Sequence, residues 1–258
     1  ANDRTTLADV GLTLVASDLS EFSTLQGPPA TGFPFTQIRH IVGQGTTLWL
    51  GTDHGVAAVD PGGGRTRVFD EAAGLPDSRI LSLASRYGQI VAGTPRGVVR
   101  IDDSLKIHRV APSYAGAAYA VAISGDSIWV GSDAGLLVTA GDSSRLYRPA
   151  GLSSASRQAP VVGLAWLADT LVALTPNQLL GRAPRGAWTL GPALSNTLGR
   201  LRVFQAYGDG FWIGGDRGVG YARLNTPPLQ SLFAGDIPGD VFDLAVDPDF
   251  LWVATSAG

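Results

Sequence analysis

Residues 48–55 read Leu48-Trp49-Leu50-Gly51-Thr52-Asp53-His54-Gly55, and the chain returns to this stretch five more times. IVAGTPRG starts at Ile90, IWVGSDAG at Ile128, LVALTPNQ at Leu171, FWIGGDRG at Phe211 and LWVATSAG at Leu251. The copies begin 42, 38, 43, 40 and 40 residues apart, a near-constant period that marks a repeat architecture. Seven residues before each copy stands a large apolar residue: Ile41, Leu83, Val121, Leu164, Phe204 and Leu244. Three residues earlier again come Ile38, Ile80, Ala118, Val161, Leu201 and Val241.

Each period reads as four strands. Strand A, as in Ile80-Leu81-Ser82-Leu83-Ala84, is apolar on both faces, the pattern of a strand buried on both sides. A Gly-, Asp- and Ser-rich turn leads to strand B, the quoted stretch itself. Its second position is Trp49, Trp129, Trp212 or Trp252, with Val91 and Val172 in the other copies. An indole there can cover a neighbouring sheet with large apolar area. A small residue two places on leaves room for close packing. The turn that follows mostly ends in glycine, as in Asp53-His54-Gly55, which fits a positive φ. Strand C is typified by Val56-Ala57-Ala58-Val59-Asp60. Strand D is short and more polar, as in Arg67-Val68-Phe69, and reads as a solvent-facing edge.

Six A-B-C-D antiparallel meanders predict an all-β chain: a six-bladed β-propeller of four-stranded antiparallel blades, one domain over residues 1–258. The last copy stops at Gly258 without strands C and D. Near the N-terminus, Gly11-Leu12-Thr13-Leu14-Val15 resembles Gly55-Val56-Ala57-Ala58-Val59, and Glu21 to Leu25 is strand-like. The last blade is therefore expected to be split between residues 1–36 and 234–258. N-terminal strands C and D would pair with C-terminal strands A and B and close the ring. A fragment of a larger propeller is the competing reading.

Composition narrows the function classes. The net charge of −3 leaves no electrostatic footprint for nucleic acid or an anionic membrane surface. Without cysteine there are no disulfides, thiolate metal sites or cysteine nucleophiles. No run approaches the ~18 apolar residues of a membrane span. The chain starts at Ala1 and contains no Met, which fits removal of an export signal. An extracytoplasmic location, periplasmic or secreted, is the expectation; a domain excised from a longer chain is the alternative.

The [LIF]-W-[LIV]-G-[TS]-x-x-G pattern with its seven-residue offset resembles the two-component regulator propeller repeat. Ala73-Gly74-Leu75-Pro76-Asp77-Ser78 at a blade junction strengthens the likeness, because Gly-Leu-Pro is typical of that repeat; Ala150-Gly151-Leu152 is similar. The resemblance spans essentially the whole chain. It implies an extracytoplasmic sensor or interaction module, often fused to a kinase; the chain shows neither kinase nor membrane span.

No constellation reads as catalytic, cofactor-binding or metal-binding. His40, His54 and His108 fall on different parts of the repeat, and none has an evident orienting partner in the sequence. Asp53, Asp133 and Asp216 share the B–C turn position and read as turn-capping residues. Gly62-Gly63-Gly64 lacks the helix and Lys of a phosphate loop.

The D–A loops are the longest connections, and they share a propeller face with the B–C turns. Candidate interaction residues there are Arg39, Arg79, Arg200, Arg202, Asp240 and Asp243 beside strand A, and His54, Arg96 and Arg217 on the turns. Arginine is favoured at interfaces and for pairing with carboxylates. The expectation is a non-catalytic interaction module without cofactor. It would dock another protein or a membrane-associated complex through this face, as a scaffold or accessory subunit, for example of an electron-transfer assembly. A ligand sensor is one alternative. A lyase or hydrolase using His40 or Asp243 at the channel mouth is the other.

Overall fold

In the computed structural model, the structure describes residues 12–15, 22–25, 38–60, 65–86, 88–140, 143–147, 160–183, 186, 188–194, 196–224, 226–231, 237, 239–246 and 251–255. Two compact units divide the chain, residues 1–118 and 119–258. Unit 1 opens with the hairpin β1 (Leu12–Val15) and β2 (Phe22–Leu25), which pair antiparallel with Leu12 opposite Leu25. Blade 1 follows as β3 (Ile38–Gln44), β4 (Thr47–Thr52), β5 (Val56–Asp60) and β6 (Arg65–Phe69). Blade 2 is β7 (Ser82–Arg86), β8 (Gln89–Thr94), β9 (Gly97–Ile101) and β10 (Ile107–Val110).

Unit 2 carries three more blades. Blade 3 is β11 (Ala120–Ser124), β12 (Ser127–Ser132), β13 (Gly135–Ala140) and β14 (Ser143–Tyr147). Blade 4 is β15 (Gly163–Leu167), β16 (Thr170–Leu174), β17 (Gln178–Arg182) and β18 (Trp188–Ala193). A 3-10 turn at Asn196–Leu198 precedes blade 5, which is β19 (Leu201–Tyr207), β20 (Gly210–Gly215), β21 (Gly218–Arg223) and β22 (Thr226–Ser231). The hairpin β23 (Val241–Val246) and β24 (Leu251–Thr255) ends the described chain.

The blades are the four-stranded antiparallel meanders that the sequence predicts, but among the described residues five are complete, not six. β1–β2 and β23–β24 are two separate two-stranded sheets. Among the described residues the sixth copy of the repeat contributes β23 and β24 alone.

The opening stretch explains how adjacent blades join. Trp49 is 4 % exposed and packs with Ile80, Ile90, Val99 and Ile101 of blade 2, and it stacks on Phe69 at 5.7 Å. Burying a side chain of this size contributes on the order of 2–3 kcal/mol. Trp129 does the same against Val161, Leu171 and Trp188 of blade 4. The small fourth position of the motif makes this approach possible. A methyl group on Gly51 would lie 2.8 Å from the Ile80 Cγ2, and one on Gly131 would lie 2.6 Å from the Val161 carbonyl oxygen. Backbone bonds fix the same junctions. The Ile80 N–H donates to the Thr52 carbonyl at 2.8 Å, Ala118 to Thr94 at 3.0 Å and Val161 to Ser132 at 3.0 Å.

Two expectations need correction. Strand D is not merely a polar edge: Phe69, Val110 and Trp188 are buried and close the inter-blade core. Ile41, read as a core position of strand A, is 53 % exposed. β3 alternates strictly, with Arg39, Ile41 and Gly43 on its open side. The equivalent Val121 and Leu244 are buried, so apolar character alone does not decide which face is covered.

Candidate functional site

The B–C turns of blades 1 to 4 are built alike. Thr52 Oγ1 donates to the Gly55 carbonyl at 2.9 Å, and the His54 N–H donates back to Thr52 Oγ1 at 3.0 Å. Thr94 repeats both bonds with Gly97 and Arg96. Ser132 donates to Gly135, and Thr175 to Gln178. These hydroxyls cap the turn from inside; that role does not fall to the aspartates, as the sequence reading had it. Gly55 has φ 131°, and a side chain there would strike the Phe69 carbonyl, so glycine is required. The apex residue is exposed in each of the five described turns, His54, Arg96, Ala134, Asn177 and Arg217; the blade 5 turn has Gly215 where the other four carry the hydroxyl.

The aspartates of these turns reach toward strand A instead. Asp133 Oδ2 accepts from the Tyr119 hydroxyl at 3.1 Å. Asp216 Oδ1 accepts from Arg202 Nε at 2.5 Å, and Arg202 Nη2 also donates to Asp240 Oδ2 at 2.7 Å. In blade 1 the same positions hold Arg39 and Asp53. Asp53 Oδ1 is buried without a hydrogen-bond partner, and its Oδ2 lies 4.0 Å from His54 Nε2.

Two of the expected arginines occupy a special backbone position. The β3–β4 register steps from Ile38 to His40, leaving Arg39 as the extra residue of a β-bulge. The β19–β20 register steps from Leu201 to Val203, leaving Arg202 likewise. Both arginines are exposed at the turn end of their blades. No local sequence signal announces these bulges.

The expected residues therefore divide between the units. Arg39, His54, Arg79 and Arg96 belong to unit 1, where all four are exposed. Arg200, Arg202, Arg217, Asp240 and Asp243 belong to unit 2, where Arg202, Asp216 and Asp240 are brought together. The Arg200 carbonyl accepts from the Asp216 N–H at 3.2 Å, and the Leu198 carbonyl from the Arg217 N–H at 3.1 Å. Asp243 lies opposite Ala254 in β23–β24. Of the long D–A loops, residues 26–36 and 149–159 lie outside the described residues.

One side-chain cluster escaped the sequence reading. His108 does have an orienting partner: its Nε2 is 2.6 Å from Asp102 Oδ2 across the C–D turn of blade 2. Asp102 Oδ1 accepts from Ser104 Oγ at 2.7 Å and from the Ser104 and Lys106 N–H groups. Hydrogen bonds from Ser104, then Lys106 and His108, hold the Asp102 carboxyl well below the usual carboxylate range. Ser104 donates to Asp102, not to His108. A hydroxyl activated for attack needs the imidazole as its acceptor, so this arrangement fastens a turn. Among the described residues no group of three or more His, Asp or Glu could hold a metal ion, and no helix is long and apolar enough to cross a membrane.

No family model and no curated protein matches the chain. Solved structures do. The extracellular domain of a protein described as a hybrid two-component system of B. thetaiotaomicron aligns over 96 % of this chain and 37 % of that one, at 18 % identity and TM-score 0.68. The fold shared with it is that of four-stranded propeller blades. This chain spans little more than a third of that structure's length. A chain of the mitotic checkpoint complex aligns over 96 % of this chain and 82 % of its own, at 13 % identity and TM-score 0.67. YCF48 bound to a D1 peptide aligns over 88 % and 78 %, at 14 % identity and TM-score 0.58. At such identities the likeness concerns the fold alone.

Proposed function

We propose that the chain is a non-catalytic protein-interaction module that recognises its partner with the blade ends carrying the B–C turns. The observation that carries this reading is the repeated turn. A buried hydroxyl clamps the turns of blades 1 to 4, and one residue of changing chemistry stands exposed at the apex of each. Rigid scaffolds with variable connecting residues are a common basis of recognition. Arginines 39, 79, 96, 200 and 217, exposed at these ends, suit a partner surface rich in carboxylates.

Two neighbours support the reading. One is YCF48 bound to a D1 peptide, and the other is PorZ, a surface component of the type-IX secretion system of Porphyromonas gingivalis. A scaffold or accessory role in an extracytoplasmic assembly follows the same line, supported by the extracellular domains among the neighbours. Those domains also favour a second reading, a sensor module for a small ligand. Pairing of β1–β2 with β23–β24 within one domain belongs to the proposal. In a chain without cysteine it is tested by whether Thr13→Cys and Val253→Cys together form a disulfide.

The functional test is a native pull-down at near-physiological salt with the parent chain and a His54→Ala, Arg96→Ala, Arg217→Ala variant. Capture of a defined partner that falls about tenfold in the variant is expected, because exposed arginines carry binding energy at interfaces. Equal capture by both proteins overturns the reading. Stabilisation by small molecules with no protein captured favours the sensor.

A further inference from the structure

One position of blade 4 breaks the repeat. The strand C residue opposite the first motif residue is Val59, Ile101, Thr139 and Ala222 in the other complete blades, each 2 % exposed or less. In blade 4 that position is Arg182, opposite Leu171. The register sets Trp166, Leu171, Arg182 and Trp188 in one row across β15 to β18. Residues paired in this way share a sheet face. The row faces blade 3, where Trp129 packs with Trp166, Leu171 and Trp188. The Arg182 Cζ lies over the Trp129 ring, 5.1 Å from its centre. Trp129 also meets Trp188 and Tyr147 edge to face, at 5.7 and 5.4 Å.

A guanidinium is seldom buried without a paired carboxylate. Arg182 is half-buried, and among the described residues no carboxylate forms an ion pair with it. An arginine that merely lays its stem along a core keeps its nitrogens in water. Arg182 does not, because its Nε is enclosed and has no hydrogen-bond acceptor. The Trp129 ring offsets part of the charge but accepts no directional bond. The terminal Nη atoms are the donors left to meet an acceptor from outside.

We propose that Arg182 is an anion-receiving site at the seam of blades 3 and 4, and that its ligand is a carboxylate. The two Nη groups donate end-on to the two carboxylate oxygens, a pairing that the planar fork fits. The aromatic surroundings strengthen this pairing relative to water. One carboxylate charge matches the one charge of Arg182. An acidic side chain of a partner protein and a free organic acid both offer this group. Arg182 ends β17 where the C–D turn begins, at the other end of the blade from the B–C turns, so the inference is independent of the turn-face reading.

The test is a titration of the 15N-labelled chain at constant ionic strength with acetate, acetyl-Gly-Glu-Gly-amide, acetyl-Gly-Gln-Gly-amide and inorganic phosphate. The Arg182 Nε–H resonance, identified by its loss in Arg182→Ile, is followed together with the Trp188 indole N–H, identified by its loss in Trp188→Phe. Acetate and the glutamate peptide are expected to shift both saturably, with dissociation constants of about 5 mM, and the glutamine peptide to shift neither. A glutamate peptide that binds about threefold or more tighter than acetate assigns an acidic partner, and otherwise the ligand is a free organic acid. Arg182→Ile installs the residue type that blade 2 carries at this position, and in it the Trp188 response should vanish. The turn variant His54→Ala, Arg96→Ala, Arg217→Ala should titrate like the parent. The proposal is overturned by no saturable shift up to ~50 mM, by an equal shift with the glutamine peptide, or by phosphate binding more than about tenfold tighter than acetate. A Trp188 response that survives Arg182→Ile, or a shift lost in the turn variant, overturns it as well.

Discussion

Thr52 closes its own turn: its Oγ1 donates to the Gly55 carbonyl at 2.9 Å while its side chain is fully buried. The same hydroxyl accepts from the His54 N–H. Thr52→Val keeps the shape and removes both bonds. It should cost about 1–2 kcal/mol, read as a lower urea midpoint at unchanged slope. Thr52→Ser should recover most of the loss, because Ser132 does the same work in blade 3. Equal midpoints for Val and Thr would show the hydroxyl to be idle.

Gly93 stands where blade 2 meets the segment entering blade 3. A Cβ there would strike the Ser82 Oγ and lie 2.5 Å from the Ala118 carbonyl oxygen. The displaced Ser82 hydroxyl is itself bonded to that carbonyl at 2.9 Å. Gly93→Ala should therefore destabilise by about 3 kcal/mol, in the range of overpacked cores. Gly43 has open space around its Cβ position, so Gly43→Ala should stay within about 0.5 kcal/mol of the parent. Thermal melts of the pair separate steric cost from any general effect of alanine.

Arg202 spans two carboxylates with one guanidinium. Lysine cannot serve both in that geometry. Arg202→Lys and Arg202→Ala should each lose about 1 kcal/mol at low salt, the upper part of the range for partly exposed pairs. The difference from the parent should shrink toward ~1 M salt, where screening is short-ranged. A salt-independent loss would mean that the arginine acts by packing.

The Asp102 turn predicts a pH dependence. The folded carboxyl is depressed by Ser104, Lys106 and His108. Its contribution is therefore fully present above the ordinary carboxylate value of about 3.9 and fades only as pH falls below it. A side-chain 13C titration should place the Asp102 midpoint clearly below that value. Ser104→Ala, which removes the largest cause, should move it upward. A midpoint at or above the ordinary value would contradict the turn geometry.

Much of the blade architecture was legible because it is local. The Trp at the second motif position, the small residue at the fourth and the glycine at the eighth each recur on period, and each turned out to fill a stated packing or turn role. The blade count was less legible, since β1–β2 and β23–β24 lie at opposite ends of the chain and form two separate two-stranded sheets. The site was legible only as composition. The bulges at Arg39 and Arg202 are register events, invisible to a strict alternation. His108 meets Asp102 across a hairpin, a spacing that becomes informative once the turn is known. Leu105 at positive φ contradicts its own propensity, and the core that holds it there is assembled from blades 1 and 2 together.

The buried hydroxyl that clamps the B–C turns of blades 1 to 4 has a consequence for how such a chain can change. Because the turn is closed from within, the apex residue contributes little to folding. His54, Arg96, Ala134 and Asn177 can thus be exchanged one at a time with the scaffold left intact. Binding preference and thermal robustness then drift along separate axes. A lineage, or a designer, can rewrite what the molecule recognises without renegotiating how it folds.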